Sequence, residues 1–316
     1  VPEVVCVGII VADVLARPVD SLPPRGRLIL VEEMKLHIGG CAANTAIGLV
    51  RIGIPAAVIG KVGADGFGDF AVNFLQRQGV EVSGVVRDSS SLTSGTMVLV
   101  HGDGERSFLH YLGANAALEE KDLDFGLLSQ ARLVHVAGSL VLPRLDGEPT
   151  ARLFARAKKA GLITSLDTVW DARGGWMEVL RPCLRHVDYF LPSLEEAKML
   201  TGRSDPGEVA AALLDEGVGT VVLKMAERGC YVRSRESAFQ VPAYRIQCVD
   251  ATGAGDAFVA GFLTGLLKGW DLEASARFAN AVGALACLAM GTTAGVRSLE
   301  ETLAFQKSTP LGKGDS

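Results

Sequence analysis

Aromatic side chains are scarce in this 316-residue chain: Phe, Trp and Tyr make up 6% of it, against a hydrophobic content of 48%. A core must therefore be assembled from Ala, Val, Leu and Ile, and with 37 glycines punctuating it the composition is that of an α/β protein. Cysteine is sparse and scattered. None of the six (Cys6, Cys41, Cys183, Cys230, Cys248, Cys287) forms a C-x-x-C pair and the five histidines are equally dispersed, so neither a zinc site nor a disulfide framework is expected. No dense run of Lys or Arg accompanies the net charge of -5, which argues against nucleic acid as a partner. No uncharged apolar run reaches the ~18 residues of a membrane span. The apolar stretch Val4 to Ala12 also lacks the basic lead of a signal peptide. A cytoplasmic chain without a membrane partner is expected. Two nucleotide-binding patterns are missing as well. G-x-x-x-x-G-K-[ST] does not occur, and no G-x-G-x-x-G follows the first apolar run, which leaves a P-loop enzyme and a standard dinucleotide domain unsupported.

What the chain does contain is a rhythm of short apolar runs and longer helical patterns. Val4 to Ile10 precedes Ala42 to Arg51, Ala57 to Val62 precedes Gly68 to Gln78, and Arg132 to Ala137 precedes Glu148 to Ala160. Ile163 to Asp167, Tyr189 to Pro192, a helix after Ser193, and Thr220 to Met225 continue it. Near-continuous apolar strands separated by helices predict a mostly parallel sheet with helices on both faces. Two regions break the pattern. Arg27 to Ile38 alternates like a strand, and Gly95 to Val100 and Arg106 to Tyr111 flank His101-Gly102-Asp103-Gly104-Glu105, a hairpin signal. Together they predict a small separate sheet.

The densest chemical signal is Asp250-Ala251-Thr252-Gly253-Ala254-Gly255-Asp256. Phe258, Phe262, Leu263, Leu266 and Leu267 follow it at three- and four-residue spacing, one face of an amphipathic helix. The turn is therefore a helix N-terminus, whose unpaired N–H groups and positive dipole end attract an anion. Gly253, Ala254 and Gly255 let phosphate oxygens approach those groups, and Asp256 beside them is placed to act as general base on an alcohol. The same residues also make an ordinary turn and cap, and spacing alone leaves the two readings level. Upstream, the paired glycines of His37-Ile38-Gly39-Gly40-Cys41-Ala42-Ala43-Asn44 permit close backbone approach, and Asn44 can donate to and accept from a sugar hydroxyl. Asp13 is read as closing the first strand, where ligands of open α/β sheets sit. A Gly-Gly turn and a solvated loop Asp are the alternatives to these two readings.

In combination these segments resemble a family. Gly39-Gly40-Cys41-Ala42-Ala43-Asn44-Thr45-Ala46 with Gly53 is similar to the N-terminal signature of the PfkB, or ribokinase-like, carbohydrate kinases, and Asp250 to Asp256 is similar to their C-terminal signature. Gly63-Ala64-Asp65-Gly66-Phe67-Gly68, Gly113-Ala114-Asn115-Ala116 and Leu191-Pro192-Ser193-Leu194-Glu195-Glu196-Ala197 lie between them in family order. The resemblance spans almost the whole chain. It implies one ribokinase-like kinase domain over residues 1–316, doubly wound, with a β-sheet lid from about 12–38 and 94–113, and ATP-dependent phosphorylation of a small carbohydrate.

By the same resemblance Asp256 is the base and Gly253, Ala254 and Gly255 the anion hole, while Asp13, Gly39, Gly40, Asn44 and Asp256 hold the sugar. Lys224, Ala226, Gly229, Gly255 and Asn280 line the nucleotide site with Glu196, which holds Mg2+ through water. Asp250, Thr252, Ala286, Ala289, Gly291 and Gly295 match the positions that surround a monovalent cation such as K+. A homodimer through the lid is a further expectation.

The sequence also departs from the family. Ser193 stands where an N-x-x-E motif has Asn, and Ser-x-x-Glu is itself a capping box. Asp167, Arg173 and Trp176 resemble the D-x-N-x-R-x-x-x-W run of fructokinase- and ketodeoxygluconate kinase-like members, with Val169 at the Asn position; the plain alternative is a buried ion pair with a core aromatic. Cys41 interrupts the Gly-Lys-Gly-Ala-Asn run of ribokinases, and Gly138-Ser139 lie near where they carry a sugar-binding Glu, which points away from ribose. A phosphosugar is disfavoured because the lid segments offer few cations beyond Lys35 and Arg106. A nucleoside kinase of the family and a non-catalytic sugar sensor are the alternatives, and a sensor has no need of Asp256.

Overall fold

Every residue of Val4–Gly8 (β1), Ala56–Gly63 (β4) and Leu133–Ser139 (β8) is buried, as strands covered on both faces must be. The computed structural model describes residues 1–312. Its other strands are β2 (Val11–Arg17), β3 (Glu33–Gly39), β5 (Glu81–Asp88), β6 (Gly95–Val100), β7 (Arg106–Tyr111), β9 (Ile163–Thr168), β10 (Tyr189–Phe190), β11 (Thr220–Lys224), β12 (Cys230–Ser234) and β13 (Ala238–Val241). The helices are α1 (Cys41–Ile52), α2 (Gly66–Arg77), α3 (Phe125–Leu128), α4 (Glu148–Lys159), α5 (Trp176–Leu184), α6 (Leu194–Thr201), α7 (Pro206–Asp215), α8 (Ala254–Leu267), α9 (Leu272–Cys287) and α10 (Leu299–Ser308).

One sheet runs β13-β12-β11-β10-β9-β8-β1-β4-β5, parallel from β11 to β5 and antiparallel at β12 and β13. Two apolar layers cover it. Ile47 of α1, Leu75 of α2, Phe262 of α8 and Phe278 of α9 belong to one. Leu127 of α3, Phe154 of α4, Leu180 of α5 and Val209 of α7 belong to the other. This is the expected doubly wound architecture. β4 and β8 flank β1 on opposite sides, so the strand order reverses there and opens a crevice beyond its carboxyl end.

The helix after the Asp250–Asp256 turn differs from the amphipathic one read in the sequence. Its Ala and Gly side is buried along with its Phe and Leu side, from Ala257 to Gly265. Small residues make that possible: a Cβ on Gly261 would lie 2.8 Å from the Ala279 Cα of α9, and one on Gly48 of α1 would lie 2.9 Å from the Ala260 Cβ. α8 is thus a central helix clamped between α1 and α9.

The second sheet, β3-β2-β6-β7, stands apart. The hairpin of β6 and β7 occurs as expected, with Val98 opposite Phe108 and Val100 opposite Arg106. The segment from Arg27 is strand only from Glu33. β2 ends at Arg17, before Pro18, which has no N–H to donate, so residues upstream of Glu33 have no partner strand. Asp13 is also relocated. β1 stops at Gly8, and Asp13 lies inside β2, opposite His37 and Thr96. Alternation gives this sheet two faces. One carries Asp13, Leu15, Arg17, Lys35 and His37; the other carries Val14, Met34, Leu36, Met97 and Leu109.

Candidate active site

The Asp250–Asp256 turn lies beyond the sheet's carboxyl edge, and its backbone explains its glycines. Gly253 caps α8 with φ 76°, where a Cβ would strike the Thr292 carbonyl oxygen at 2.2 Å. Gly255 opens toward Lys224, whose Nζ would be 3.7 Å from a Cβ there. The Ala254 N–H is taken by the Ala251 carbonyl at 3.1 Å, so it is the α8 N-terminus at Gly255 that meets the ammonium, a favourable place for phosphoryl oxygens. Lys224 ends β11 and is tethered by Asp167 of β9, Nζ to Oδ2 2.6 Å. Burial works against the lysine's charge, but Asp167, Glu196 and Asp256 outweigh it and raise its pKa.

Asp256 sits in the first turn of α8, and the Asn44 Nδ2 of α1 donates to its Oδ2 at 2.8 Å. Burial raises the Asp256 pKa above its ordinary value, opposed by Asn44, Lys224 and the Cys41 thiol. The carboxylate is thereby kept basic yet oriented. Asn44 has a dual position: its Oδ1 is buried without a partner among the described residues, so it can accept from a substrate hydroxyl. Asp13, Gly39 and Gly40 assemble beside it. A Cβ on Gly39 would lie 2.1 Å from the Asp13 Oδ2, and one on Gly40, with φ 95°, would lie 2.4 Å from the Ile9 carbonyl oxygen at the end of β1. The two glycines let β3 pass under the carboxylate. Burial raises the pKa of Asp13 too, with a Thr96 hydrogen bond opposing it.

Ser193 and Glu196 form a complete capping box on α6. The Glu196 N–H donates to the Ser193 Oγ at 3.3 Å and the Ser193 N–H to Glu196 Oε2 at 3.0 Å, while Thr168 Oγ1 also donates to Oε2 at 3.0 Å. Both bonds fall on Oε2. Glu196 Oε1 has no such bond among the described residues, which suits an Mg2+ ion held through water. Ala226, with φ 52°, and Gly229, with φ 87°, shape the bend after β11, where a Cβ on Gly229 would strike the Val241 carbonyl oxygen at 2.0 Å. Asn280 Nδ2 donates to that oxygen at 3.0 Å and to the Pro242 carbonyl at 3.1 Å. Gly229 and Asn280 therefore meet at the end of β13, with the Asn280 amide tying α9 to that strand, while Lys224 and Gly255 face each other and Glu196 lies at the start of α6.

Of the positions matched to a monovalent cation, Asp250, Thr252 and Gly291 are joined directly. Asp250 Oδ1 accepts from the Thr252 N–H at 3.0 Å and the Thr252 Oγ1 at 2.7 Å, and Oδ2 accepts from the Gly291 N–H at 2.9 Å. Ala289 follows the end of α9, its N–H 3.4 Å from the Ala286 carbonyl, and a Cβ on Gly295 would lie 2.8 Å from that same oxygen. A group the sequence reading named only as a lid cation enters here. Arg106 of β7 puts Nη2 3.0 Å from Asp250 Oδ1 and Nη1 against the Thr252 hydroxyl. Desolvation opposes it, yet these donors hold the Asp250 carboxyl at about 2.

Asp167, Arg173 and Trp176 do not form an ion pair under an aromatic. Asp167 pairs with Lys224, and Asp171 accepts from the N–H groups of Arg173 (2.8 Å) and Trp176 (2.7 Å), which fixes their loop. Trp176 meets Trp170 edge-on with centroids 5.0 Å apart. Among the described residues no cluster of three or more His, Cys, Asp or Glu is placed to hold a metal, and no helix is long and apolar enough to cross a membrane.

Comparison with known proteins bears on this arrangement. The family model described as pfkB family carbohydrate kinase matches residues 1–299. Fructokinase-1 of Zea mays is 33% identical over 284 residues, 84% of this chain and 87% of that one. The 2-dehydro-3-deoxygluconokinase of Bacillus subtilis is 27% identical over 305 residues, 92% of this chain and 94% of that one. The structure of Arabidopsis thaliana ribokinase complexed with ribose and ATP superposes with TM-score 0.84 at 25% identity, covering 97% of this chain and 99% of that one.

Proposed function

The chain belongs to the pfkB family of carbohydrate kinases, and from that membership we propose that Asp256 takes the proton of a sugar hydroxyl while the α8 N-terminus and Lys224 stabilise the phosphoryl group arriving from ATP. The observation that carries the reading is the junction of three groups at one place: the Asp256 carboxylate oriented by Asn44, the α8 N-terminus at Gly255, and the Lys224 ammonium facing it. A carboxylate raised by burial is a competent base once ionised, and the donors aimed at the same point compensate charge developing on the transferring group. ATP as donor is supported by the ATP-bound Arabidopsis relative. Mg2+ is supported by the unbonded oxygen of Glu196, and when bound it supplies a Lewis acid at the phosphates.

The sugar side favours a neutral substrate. The cavity between the small sheet and the turn is lined by the cations Arg17, Lys35 and Arg106 and the anions Asp13, Glu33 and Asp250. Arg17 and Lys35 share the single carboxylate of Glu33 and Arg106 pairs with Asp250, so with Asp13 the lining sets three carboxylates against three cations, a balance that suits an uncharged substrate. Asp13 and Asn44 Oδ1 are hydroxyl acceptors. The small sheet acts as a lid that excludes water during transfer. Its other face supports the dimer: Met34 on β3 and, across β2, Met97 and Leu109 on the paired strands β6 and β7 are 66%, 50% and 55% exposed, a surface a second copy would cover. A panel of ketohexoses, pentoses, aldonic acids, sugar phosphates and nucleosides, assayed for ADP release and phosphorylated product, tests the substrate class. Turnover confined to neutral sugars is expected, and a preference for acids, phosphates or nucleosides would refute it.

A further inference from the structure

We infer that Arg106 supplies, from within the chain, the positive charge that holds the Asp250–Thr252 part of the anion-hole turn, so that this charge arrives and leaves with the small sheet. The inference rests on the kinase reading and refines the role of the same turn. Asp250 is 7% exposed, and its Oδ1 already takes the Thr252 N–H, the Thr252 hydroxyl and the Arg106 guanidinium, while Oδ2 takes the Gly291 N–H. A carboxylate so enclosed needs a compensating charge. The resemblance gives that part to a monovalent cation, but a second cation beside the guanidinium would meet like-charge repulsion, and the oxygen facing Arg106 has three donors. The guanidinium is well suited to the place: its planar fork spans Asp250 and the Thr252 hydroxyl together.

The topology makes the charge movable. Arg106 opens β7 in the small sheet, opposite Val100, whereas Asp250 and Thr252 belong to the loop before α8. Among the described residues this is the ion pair that joins the small sheet to the remainder of the chain; Arg17 and Lys35 pair with Glu33 inside the sheet. Arg106 is accordingly a positioning residue. It acts through Asp250 and Thr252, fixing the loop from which Asp256 and the α8 N-terminus project.

The test compares K+ with tetramethylammonium at constant ionic strength, on thermal midpoint without substrates and on turnover with ATP and a substrate sugar. The wild-type protein is expected to show the same midpoint and kcat in both salts. Arg106→Gln is expected to lose up to about 100-fold in kcat, the cost of a small misplacement of the catalytic groups, and to regain part of it, with a higher midpoint, in K+. Arg106→Lys, which keeps the charge without the fork, is expected to stay indifferent to K+. A wild-type kcat or midpoint that rises several-fold or by several degrees with K+ would overturn the inference without any variant. So would Arg106→Gln turning over like wild type in both salts. The midpoint arm needs no sugar, so a failure of the kinase reading would be seen separately as absent turnover.

Discussion

Two carboxylates of one turn, Asp250 and Asp256, are shifted in opposite directions, and their variants should behave oppositely. The folded-state pKa of Asp256 lies above 3.8 because burial disfavours its charge. As pH rises through the interval between those two values, the unfolded chain ionises first, and the folded state loses stability that it does not recover at higher pH. Asp256→Asn should therefore keep or raise the thermal midpoint at pH 7 while abolishing most turnover, and in the wild type kcat/KM for the sugar should fall as pH drops through a value above 3.8. An acid limb below that value would count against Asp256 as the ionising base. Asp250, held at about 2 against a usual 3.8, contributes stability present above 3.8 and lost as pH falls toward 2. Asp250→Asn should lower the midpoint at pH 7 and flatten the wild-type decline across that interval, read by thermal melts in a pH series.

At the scale of elements, α8 carries the site because both its neighbours come unusually close. A Cβ on Gly261 would lie 2.8 Å from the Ala279 Cα and 2.9 Å from the Val282 Cγ2, so Gly261→Val should destabilise by about 1–3 kcal/mol or more in denaturant titrations, the cost of overpacking. Unchanged stability would mean that α8 and α9 are looser than this. Elements defined by local chemistry were legible in the sequence: the β6–β7 hairpin from its Gly/Asp loop, the α6 capping box at Ser193, and the α8 start from Gly253 to Gly255. What was not legible depends on pairs far apart in the chain. Asn44 reaches Asp256 across 212 residues, Arg106 reaches Thr252 across 146, and Lys224 reaches Asp167 across 57. Spacing rules see neighbours within a turn or strand, so Asn44 read as a sugar contact alone, and Asp167 as part of a D-x-N-x-R-x-x-x-W-like run with a pair to Arg173 as the plain alternative. Asp13 was placed on the wrong strand because Val4 to Ala12 was read as a single strand, although Gly8 interrupts it where β1 ends and the chain changes sheet.

For the whole molecule, the large sheet fixes the turn, Asp256 and Lys224, while the small sheet brings Asp13 on one face and an apolar surface on the other. That surface should hold two copies together. Leu109→Glu, placed on the outward face, is expected to convert a dimer to monomers in sedimentation velocity, and a wild-type monomer would refute the pairing. The division of labour also predicts that chemistry fails without the fold failing. The most direct measurement is kcat for ADP and phosphosugar formation by Asp256→Asn beside the wild type, with the thermal midpoint of each. The expected result is a loss of about 10²- to 10⁴-fold in kcat with the midpoint unchanged or higher. A variant turning over within a few-fold of wild type would contradict the assignment of Asp256 as the base.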